Sequence, residues 1–435
     1  IDGDSSGSVV YFGSNAGMDT YFSGFTIQNG SGTYYGGYPE GFSGGGVYID
    51  QNAKPLLSNL IVQYNTASGG GAGIWSLGGE TQLRLYNSII RYNSTSTNGH
   101  RFGGGLYNGG ENSIVSHVEF YGNYANGSGG AICDANNLMI VKCLFYENVA
   151  NYQGDAIQGN VSLIYNCTFV GNGSIDSDGE SVIRLDGANP GPVIRNSIVW
   201  GNVHPEIDNS NLLLTNYSIF DGGQSSFTNQ ENLDWGNGNM TVDPLFNDAT
   251  NNNFSISISS PANNAGDPYE IYNNEDGTRN NIGISGGIGL IMRTISTGHG
   301  GHHYEMSDTL EMGYVAVSDG NHHSLRIDNG TNIDLTFSSY SSTDNQFTIQ
   351  DPFPLSVLPM SNSFFNQQPQ VHYQPQSAGT HTGTITLNSD AIPGSGSMDL
   401  VASGIALDVP SGDINVPADA PTIQVAIDIA QSGKT

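Results

Sequence analysis

The stretch Asn196-Ser197-Ile198-Val199-Trp200-Gly201-Asn202 decides the fold, because versions of it recur along the first half of the chain. Each version has a small or polar residue, then alternating apolar residues, and an Asn at its end. Copies of unequal length that keep one strand and one turn predict a solenoid instead of a globular core. The recurring residues are Asn29, Asn65, Asn93, Asn123, Asn148, Asn172 and Asn202, at intervals of 36, 28, 30, 25, 24 and 30 residues.

A second, Gly-rich element precedes these strands, for example Gly44-Gly45-Gly46-Val47 and Gly103-Gly104-Gly105-Leu106. Small residues let the backbone turn a corner, so one repeat reads as corner, short strand, turn, longer strand, Asn turn and variable loop. This order predicts one coil of a parallel β-helix, with apolar ladders inside. Asn tolerates a left-handed turn and bonds its neighbours, so the seven recurring Asn residues are predicted to form a structural ladder.

The composition excludes several classes of function. The chain has 435 residues and a formal net charge of −29, which repels nucleic acid phosphates and anionic membranes. No apolar run is long enough to span a membrane. Three cysteines are too few for a disulfide framework, and Cys143 and Cys167 fall at equivalent repeat positions, which favours stacked buried thiols over a disulfide. We expect an extracellular or cell-surface protein, for which calcium is the one cofactor to consider and none is required.

Residues 1–222 resemble the right-handed parallel β-helices of the pectate-lyase-like superfamily, especially those of bacterial surface and secreted proteins. The motifs Val242-Asp243-Pro244-Leu245-Phe246 and Glu275-Asp276-Gly277-Thr278-Arg279 resemble the segment that closes such helices, which we assign to residues 223–290. The family usually has Asp where this chain has Asn281. The resemblance implies a closing segment that covers one end of the coils.

Two further parts follow. Residues 291–409 contain about seven short alternating strands between Leu310 and Gly404, which predicts an antiparallel β-sandwich. This part resembles the immunoglobulin-like domains of the Hydin and choice-of-anchor type. Residues 410–435 resemble a linker and the cap helix of a following β-helix, with Ile423, Ala426, Ile427 and Ala430 on one face. Because Ile1-Asp2-Gly3 resembles the end of a coil, we expect a window in a longer tandem array, whose modules or copies are the partners.

Catalytic residues are not predicted. A polysaccharide lyase on this fold needs a basic residue beside calcium-binding carboxylates, and Arg184, Asp186 and Arg195 come closest to such a set. Glycoside hydrolysis needs two converging carboxylates, but Asp134, Asp155 and Asp186 belong to no motif that we can match.

Two patterns suggest metal sites, although a polar junction and a variable loop are the favoured interpretations. One is a histidine cluster that His322 and His323 are candidates to join, and the other resembles half of a calcium loop. Their residues are His299, His302 and His303 for the first and Asp176, Asp178 and Glu180 for the second.

The sequence therefore predicts an all-β protein, a parallel β-helix followed by an immunoglobulin-like sandwich and a short cap segment. The predicted function is an extracellular structural module of a fibre, surface layer, stalk or adhesin. The alternative is a secreted carbohydrate-active enzyme or a protein that binds extracellular polysaccharide. This alternative is supported by aromatic residues of the longest loop, namely Tyr34, Tyr35, Tyr38 and Phe42.

Overall fold

A computed structural model shows an all-β chain that divides into two compact units. The first contains residues 1–268, 272–289 and 330–332, and the second contains residues 269–271, 290–329 and 333–435. The residues that the structure describes are 1–96, 101–177, 180–186, 191–204, 207–269, 272–287, 290–296, 303–305, 309–317, 319–329, 334–357, 369–389, 392, 396–408, 414–416, 418–423 and 425–426.

The first unit is a parallel β-helix. Its main sheet has 21 strands, each hydrogen-bonded in parallel to the equivalent strand of the neighbouring coil. We call its three rows the corner row, which follows the Gly-rich corner, the middle row, and the Asn row, which precedes the recurring Asn. Four long strands contribute to two rows each, because they bend from one row into the next.

The strands of the corner row are Val10–Phe12, Val47–Ile49, Ile74–Ser76, Leu106–Asn108, the first parts of Ile132–Val141 and Ile157–Tyr165, Ile183–Leu185 and Ile207–Asn209. The strands of the middle row are Tyr21–Ser23, Leu56–Ser58, the first parts of Arg84–Arg91 and Ile114–Tyr121, the last parts of Ile132–Val141 and Ile157–Tyr165, Val193–Arg195, Leu213–Asn216 and Leu233–Trp235.

The strands of the Asn row are Thr26–Gln28, Ile61–Gln63, the last parts of Arg84–Arg91 and Ile114–Tyr121, Leu144–Tyr146, Thr168–Val170, Ile198–Trp200 and Ile219–Phe220. A separate four-stranded sheet follows the Asn turn and consists of Thr66–Ala67, Ser94–Thr95, Tyr124–Ala125 and Val149–Ala150.

Apolar ladders fill the inside of the coils. In the corner row one inward position is apolar in every coil from Val47 to Ile207, and these side chains are fully buried. In the Asn row Phe120, Phe145 and Phe169 stack with ring planes within 4° of parallel and centroids 5.1 and 4.5 Å apart. Full burial of such a side chain is worth about 1.5–3 kcal/mol, so stacking of equivalent residues stabilises the unit coil by coil.

The Gly-rich corners are required by backbone geometry. Gly103 has a φ of +65°, and a Cβ atom there would lie 2.3 Å from the carbonyl oxygen of Leu106. Only glycine adopts this conformation without strain in so little space. The repeated glycines therefore position those strands of the corner row that follow a Gly-rich corner, such as Leu106–Asn108.

The predicted closing segment has two parts, and only the first covers the end of the coils. Residues 223–241 include the 3₁₀ turns Gly223–Ser226 and Gln230–Asn232, and there Phe227 and Trp235 pack against Phe220 at the end of the core. Residues 242–268 and 272–287 instead run back along the outer face of the Asn row, where Ala262 and Ile282 pack on Ile198. This part contains the hairpin strands Phe246–Asp248 and Asn253–Ile256 and the 3₁₀ turn Ala249–Asn251.

The second unit is a β-sandwich. The ring of Tyr373 in one sheet packs against the backbone of Gly404 in the other, and its hydroxyl bonds Nδ1 of His381 at 2.6 Å. The five-stranded sheet has the order His303–Glu305, Leu290–Ser296, Asn321–Asn329, Gln370–Tyr373, Phe347–Ile349, and the four-stranded sheet has the order Thr309–Ala316, Ser397–Leu407, Gly379–Asn388, Ser339–Ser342. Leu335–Phe337 pairs separately with Leu355–Val357.

The sandwich differs from the sequence prediction in two respects. Its first strand begins at Leu290, ahead of the predicted first strand near Leu310. Thr309–Ala316 also pairs in parallel with Ser397–Leu407, although every strand was expected to be antiparallel. Alternating burial along Ser397–Leu407 is the same for both kinds of pairing, so the sequence pattern does not distinguish them.

The C-terminal segment begins a helical turn after Thr422. The Thr422 hydroxyl accepts a hydrogen bond from the backbone N–H of Val425 at 3.1 Å, which is the geometry of an N-cap. Ala426 is partly buried beside Ala420, whereas the side chain of Ile423 is 71% exposed. Ile427 and Ala430, the other residues of the predicted cap face, lie outside the described residues.

Candidate functional site

The recurring Asn residues form a continuous internal row. The side-chain Nδ2 of each donates to Oδ1 of the next at 3.0 Å, through Asn65, Asn93, Asn123, Asn148, Asn172 and Asn202. Each Nδ2 also donates to a main-chain carbonyl, such as that of Ile90 for Asn123 at 2.8 Å. We call this row the Asn ladder. The side-chain amides form their hydrogen bonds within the coils, so they are not available for a ligand.

Asn29 does not belong to the Asn ladder. Gly30 occupies the ladder position, since its backbone N–H donates to Oδ1 of Asn65 at 2.9 Å. A Cβ atom on Gly30 would lie 1.9 Å from the carbonyl oxygen of Gly45, so no side chain fits there. Asn29 lies one residue earlier, in a left-handed conformation, and its amide bonds Asp2.

A second internal row lies at the turn between the middle row and the Asn row. Cys143 and Cys167 are adjacent in it, and both are free and buried. The N–H of Cys143 approaches Sγ of Cys167 at 3.5 Å, and the N–H of Cys167 donates to the hydroxyl of Ser197 at 3.1 Å. Burial raises the pKa of the Cys143 thiol well above its usual value, so it does not act as a nucleophile.

The outer face of the corner row changes from aromatic to polar along the coils. Trp75 stacks on Tyr107 with centroids 4.2 Å apart, and Tyr11 stacks on Tyr48 at 5.4 Å. Burial raises the pKa of Tyr48 to about 12, so this phenol remains protonated at neutral pH. The phenol of Tyr48 is therefore not a general base.

A hairpin formed by Thr33–Tyr35 and Gly41–Ser43 carries the aromatic residues of the longest loop. Tyr35 lies against Trp75, with ring centroids 5.5 Å apart, whereas Tyr34, Tyr38 and Phe42 are 57, 79 and 50% exposed. Beside the hairpin is an open cleft of about 590 Å³ lined by Ser31, Phe42, Thr66, Ala67, Ser68, Ser94, Thr95 and Ser96. Hydroxyl groups and an exposed ring in one cleft are a surface on which a sugar can stack and hydrogen-bond.

The basic residues that came closest to a lyase set are separated. Arg184 is on the corner row, where it bonds Asp186 and Asp208, each at 2.8 Å. Arg195 is on the middle row, 10% exposed, and forms an ion pair with Asp267 beneath residues 242–268 and 272–287. A guanidinium buried in that way cannot reach a substrate, so these residues do not make one site.

The three carboxylates considered for hydrolysis also have separate partners. Asp134 accepts from Asn108 at 2.7 Å, and Asp155 bonds Nδ1 of His204 at 2.8 Å. Asp186 accepts from Arg184 and from the amide of Gln158. Burial raises the pKa of Asp155, while the bonds from His204 and Ala150 oppose that shift. No two of these three carboxylates share a hydrogen-bond partner among the contacts described.

The predicted metal patterns do not assemble within the described residues. No group of three His, Cys, Asp or Glu side chains in that part of the chain is arranged to hold a metal ion. Glu180 accepts a hydrogen bond from Gln153 at 2.8 Å, and Asp176 lies exposed on its loop. Asp178, His299 and His302 lie outside the described residues, as does the side chain of His303, which begins the strand His303–Glu305.

Several residues at these places were not singled out from the sequence. Asp208 and Gln158 complete the Arg184 network, Asp267 neutralises Arg195, and His204 orients Asp155. Asp208 lies one coil from Arg184 at the same strand position, so aligning the repeats would have indicated that pair. Asp267 has no repeat equivalent, and nothing in the spacing indicates its partner. No helix in the described part of the chain is long and apolar enough to cross a membrane.

Comparison with known proteins gives slight similarities. No family model and no curated protein matches the chain. A family 123 glycoside hydrolase from Clostridium perfringens is similar over 23% of this chain and 23% of that chain, with 12% identity and a TM-score of 0.19. The PapD-like domain 7 of human CEP192 is similar over 28% of this chain and 87% of that chain, with 10% identity and a TM-score of 0.19. Neither similarity assigns a function to this chain.

Proposed function

We propose that this chain is a structural module of an extracellular or cell-surface assembly, of the pectate-lyase-like β-helix type with a Hydin-like sandwich. The Asn ladder is the observation that carries the proposal. Five successive side-chain hydrogen bonds of 3.0 Å join six coils, and each amide has its remaining bonding capacity directed into the backbone. Such a repeated internal row of hydrogen bonds holds neighbouring coils together and makes the stack of coils rigid.

The polar side chains on the coils support the same function. Arg184, Arg195, Asp134 and Asp155 are each held by another residue of the chain. An enzyme needs a base and an acid that can contact the substrate. The charged groups of these residues are instead bonded to other residues of the chain. The net charge of −29 suits a protein exposed to salt and calcium outside the cell.

A second candidate function is binding of an extracellular polysaccharide at the aromatic hairpin. The exposed rings of Tyr38 and Phe42 and the hydroxyl-lined cleft favour it. Sugars present apolar faces that stack on aromatic rings and hydroxyls that bond serine and threonine. This function is compatible with a structural module that attaches to a glycan.

One set of measurements tests both functions. Sedimentation velocity and electron microscopy over a range of concentrations, with calcium or with a chelator, should show the purified chain associating with copies of itself. Incubation with a panel of acidic and neutral polysaccharides should release no reducing ends and no unsaturated product. Turnover that disappears in Asp186→Asn would overturn the structural proposal. Glycan retention that Phe42→Ala abolishes, in a chain that stays monomeric, would favour the second candidate.

A further inference from the structure

Two histidines from different strands of the sandwich lie side by side on its outer face. His322 and His372 are directly opposite each other in the antiparallel pair Asn321–Asn329 and Gln370–Tyr373. Their ring centroids are 5.5 Å apart and their planes differ by 28°. The next residues on each side, His323 and Val371, point into the core and are buried. The sheet itself therefore holds both imidazoles on the same face.

Both imidazoles keep their ring nitrogens uncommitted. In the described part of the chain, the rings of His322 and His372 form no hydrogen bond, whereas His323 bonds Asn321 and His381 bonds Tyr373. A histidine with uncommitted ring nitrogens has its full capacity to bind a metal. The stacked ring pair is thus a ready set of two nitrogen ligands.

We propose that His322 and His372 form a transition-metal site on the outer face of the sandwich, with water in the remaining coordination positions. For two imidazoles on one tetrahedral metal, bonds of about 2.0–2.1 Å place the ring centroids roughly 5 Å apart. The observed 5.5 Å is close to that separation, so small rotations of the two side chains bring one nitrogen of each to a common ion. Imidazole pairs bind copper, nickel and zinc, with copper bound most tightly in this series.

The electrostatic surroundings favour a cation there. The negatively charged carboxylate of Asp351 interacts electrostatically with His372. Its Oδ2 accepts a hydrogen bond from the backbone N–H of Gln370 at 2.7 Å, which holds the carboxylate in place. The excess of acidic residues over the chain adds to the attraction.

Sequence reasoning placed His322 with the cluster at His299, His302 and His303, and it missed His372. His322 and His372 are 50 positions apart along the chain, and only the strand register brings the second strand beside the first. The pair is therefore a site that depends on the fold.

Metal titration of the full chain tests the proposal. Calorimetry with Zn²⁺, and electron paramagnetic resonance with Cu²⁺ at one equivalent, should show a site with two nitrogen ligands. His322→Ala and His372→Ala should each weaken binding at this site at least tenfold. Both positions lie on the outer face of a strand, so circular dichroism should stay unchanged. The triple variant H299A/H302A/H303A should keep the two-nitrogen signal.

The outcomes are distinct. Binding unchanged within twofold in both His322→Ala and His372→Ala would overturn the proposal. A two-nitrogen signal lost in the triple variant and retained in His372→Ala would assign the metal to the other cluster and would also overturn it. Should one alanine variant unfold, His322→Asn and His372→Gln keep a polar side chain of similar size and answer the same question.

Discussion

One residue in each coil adopts a left-handed conformation at the turn between the middle row and the Asn row. The register aligns Asn59, Asn87, His117, Lys142, Asn166, Asn196 and Tyr217, and their φ angles lie between +47° and +54°. Asparagine is the non-glycine residue that tolerates this region best, which explains its frequency there. His117, Lys142 and Tyr217 are exceptions that place titratable groups in a position usually held by an amide.

His117 should make the β-helix sensitive to acid. Burial, helped by the nearby charge of Lys142, lowers the pKa of His117 to about 4 from an ordinary value of 6.5. Between these values the unfolded chain binds the proton more strongly, so stability is lost as the pH falls from 6.5 to 4. The loss is at most about 3–4 kcal/mol, because a tenfold difference in proton affinity is worth about 1.4 kcal/mol. His117→Asn should remove this part of the pH dependence, measured by urea unfolding from pH 4 to 7.

Asn87→His is the matched control for that measurement. It places histidine in the same backbone conformation, where the side chain is exposed. An exposed imidazole keeps its ordinary pKa in the folded state and adds no pH dependence. If the free energy of unfolding changed equally with pH in wild type and in His117→Asn between pH 4 and 6.5, His117 would not be the source of the acid sensitivity.

At the scale of elements, residues 242–268 and 272–287 form a strap along the coils. Lys142 donates to the carbonyl oxygens of Gly286 and Gly287 at 2.7 and 2.6 Å. The amide of Asn166 donates to the carbonyl oxygens of Asn281 and Gly283, each at 2.9 Å. The strap therefore bonds to the left-handed row itself, where amide and ammonium groups project outward. In this row Asn166 and Asn196 thus bind the strap, whereas Asn87 donates to Asn59.

Asp267 should fix the strap in place. Asp267→Ala removes the partner of the buried Arg195 guanidinium, and breaking a buried pair in this way costs about 3–5 kcal/mol. We expect the strap to loosen while the coils stay folded, seen as faster hydrogen exchange at the N–H of Gly283, which donates to the carbonyl oxygen of Asn196. Limited proteolysis should cut the strap first.

Asp276→Ala serves as the control for the strap, because this carboxylate is exposed and bonds Thr278 in the same turn. It should leave exchange at Gly283 unchanged. If the N–H of Gly283 exchanged in Asp267→Ala at the same rate as in wild type, the ion pair of Arg195 with Asp267 would not be the contact that holds the strap.

The parts of the fold that repeat could be predicted from the sequence, and the parts that occur once could not. The Asn ladder, the Gly-rich corners and the thiol row each follow from a residue type that returns at equivalent positions. The strap contains no repeat, so its course along the Asn row depends on contacts such as Arg195 with Asp267 that have no local signature. The same holds for His322 and His372, which only strand register brings together.

At the scale of the whole molecule, the chain stabilises its two units by different means. The buried apolar cluster of the β-helix extends from Phe12 to Phe227 and consists of equivalent residues stacked coil on coil. The sandwich buries alternating residues of long strands such as Ser397–Leu407. In the β-helix, each coil contacts the coils next to it. In the sandwich, the contacts join strands that are distant in sequence. The two units should therefore unfold separately.

Calorimetry of the full chain should then show two transitions that respond to different substitutions. Asn123→Ala removes the bonds to Asn148 and Ile90, and it removes the oxygen that accepts from both the backbone N–H and the side-chain amide of Asn93. This should cost about 2–4 kcal/mol in the β-helix transition alone. Leu400→Ala opens a cavity in the sandwich, where this side chain is fully buried, and should cost about 2–5 kcal/mol in the other transition alone. A single transition that both substitutions lower would show that the units fold as one cooperative body. Two transitions that shift independently would show that the β-helix is stable by its own ladders, as a structural module requires.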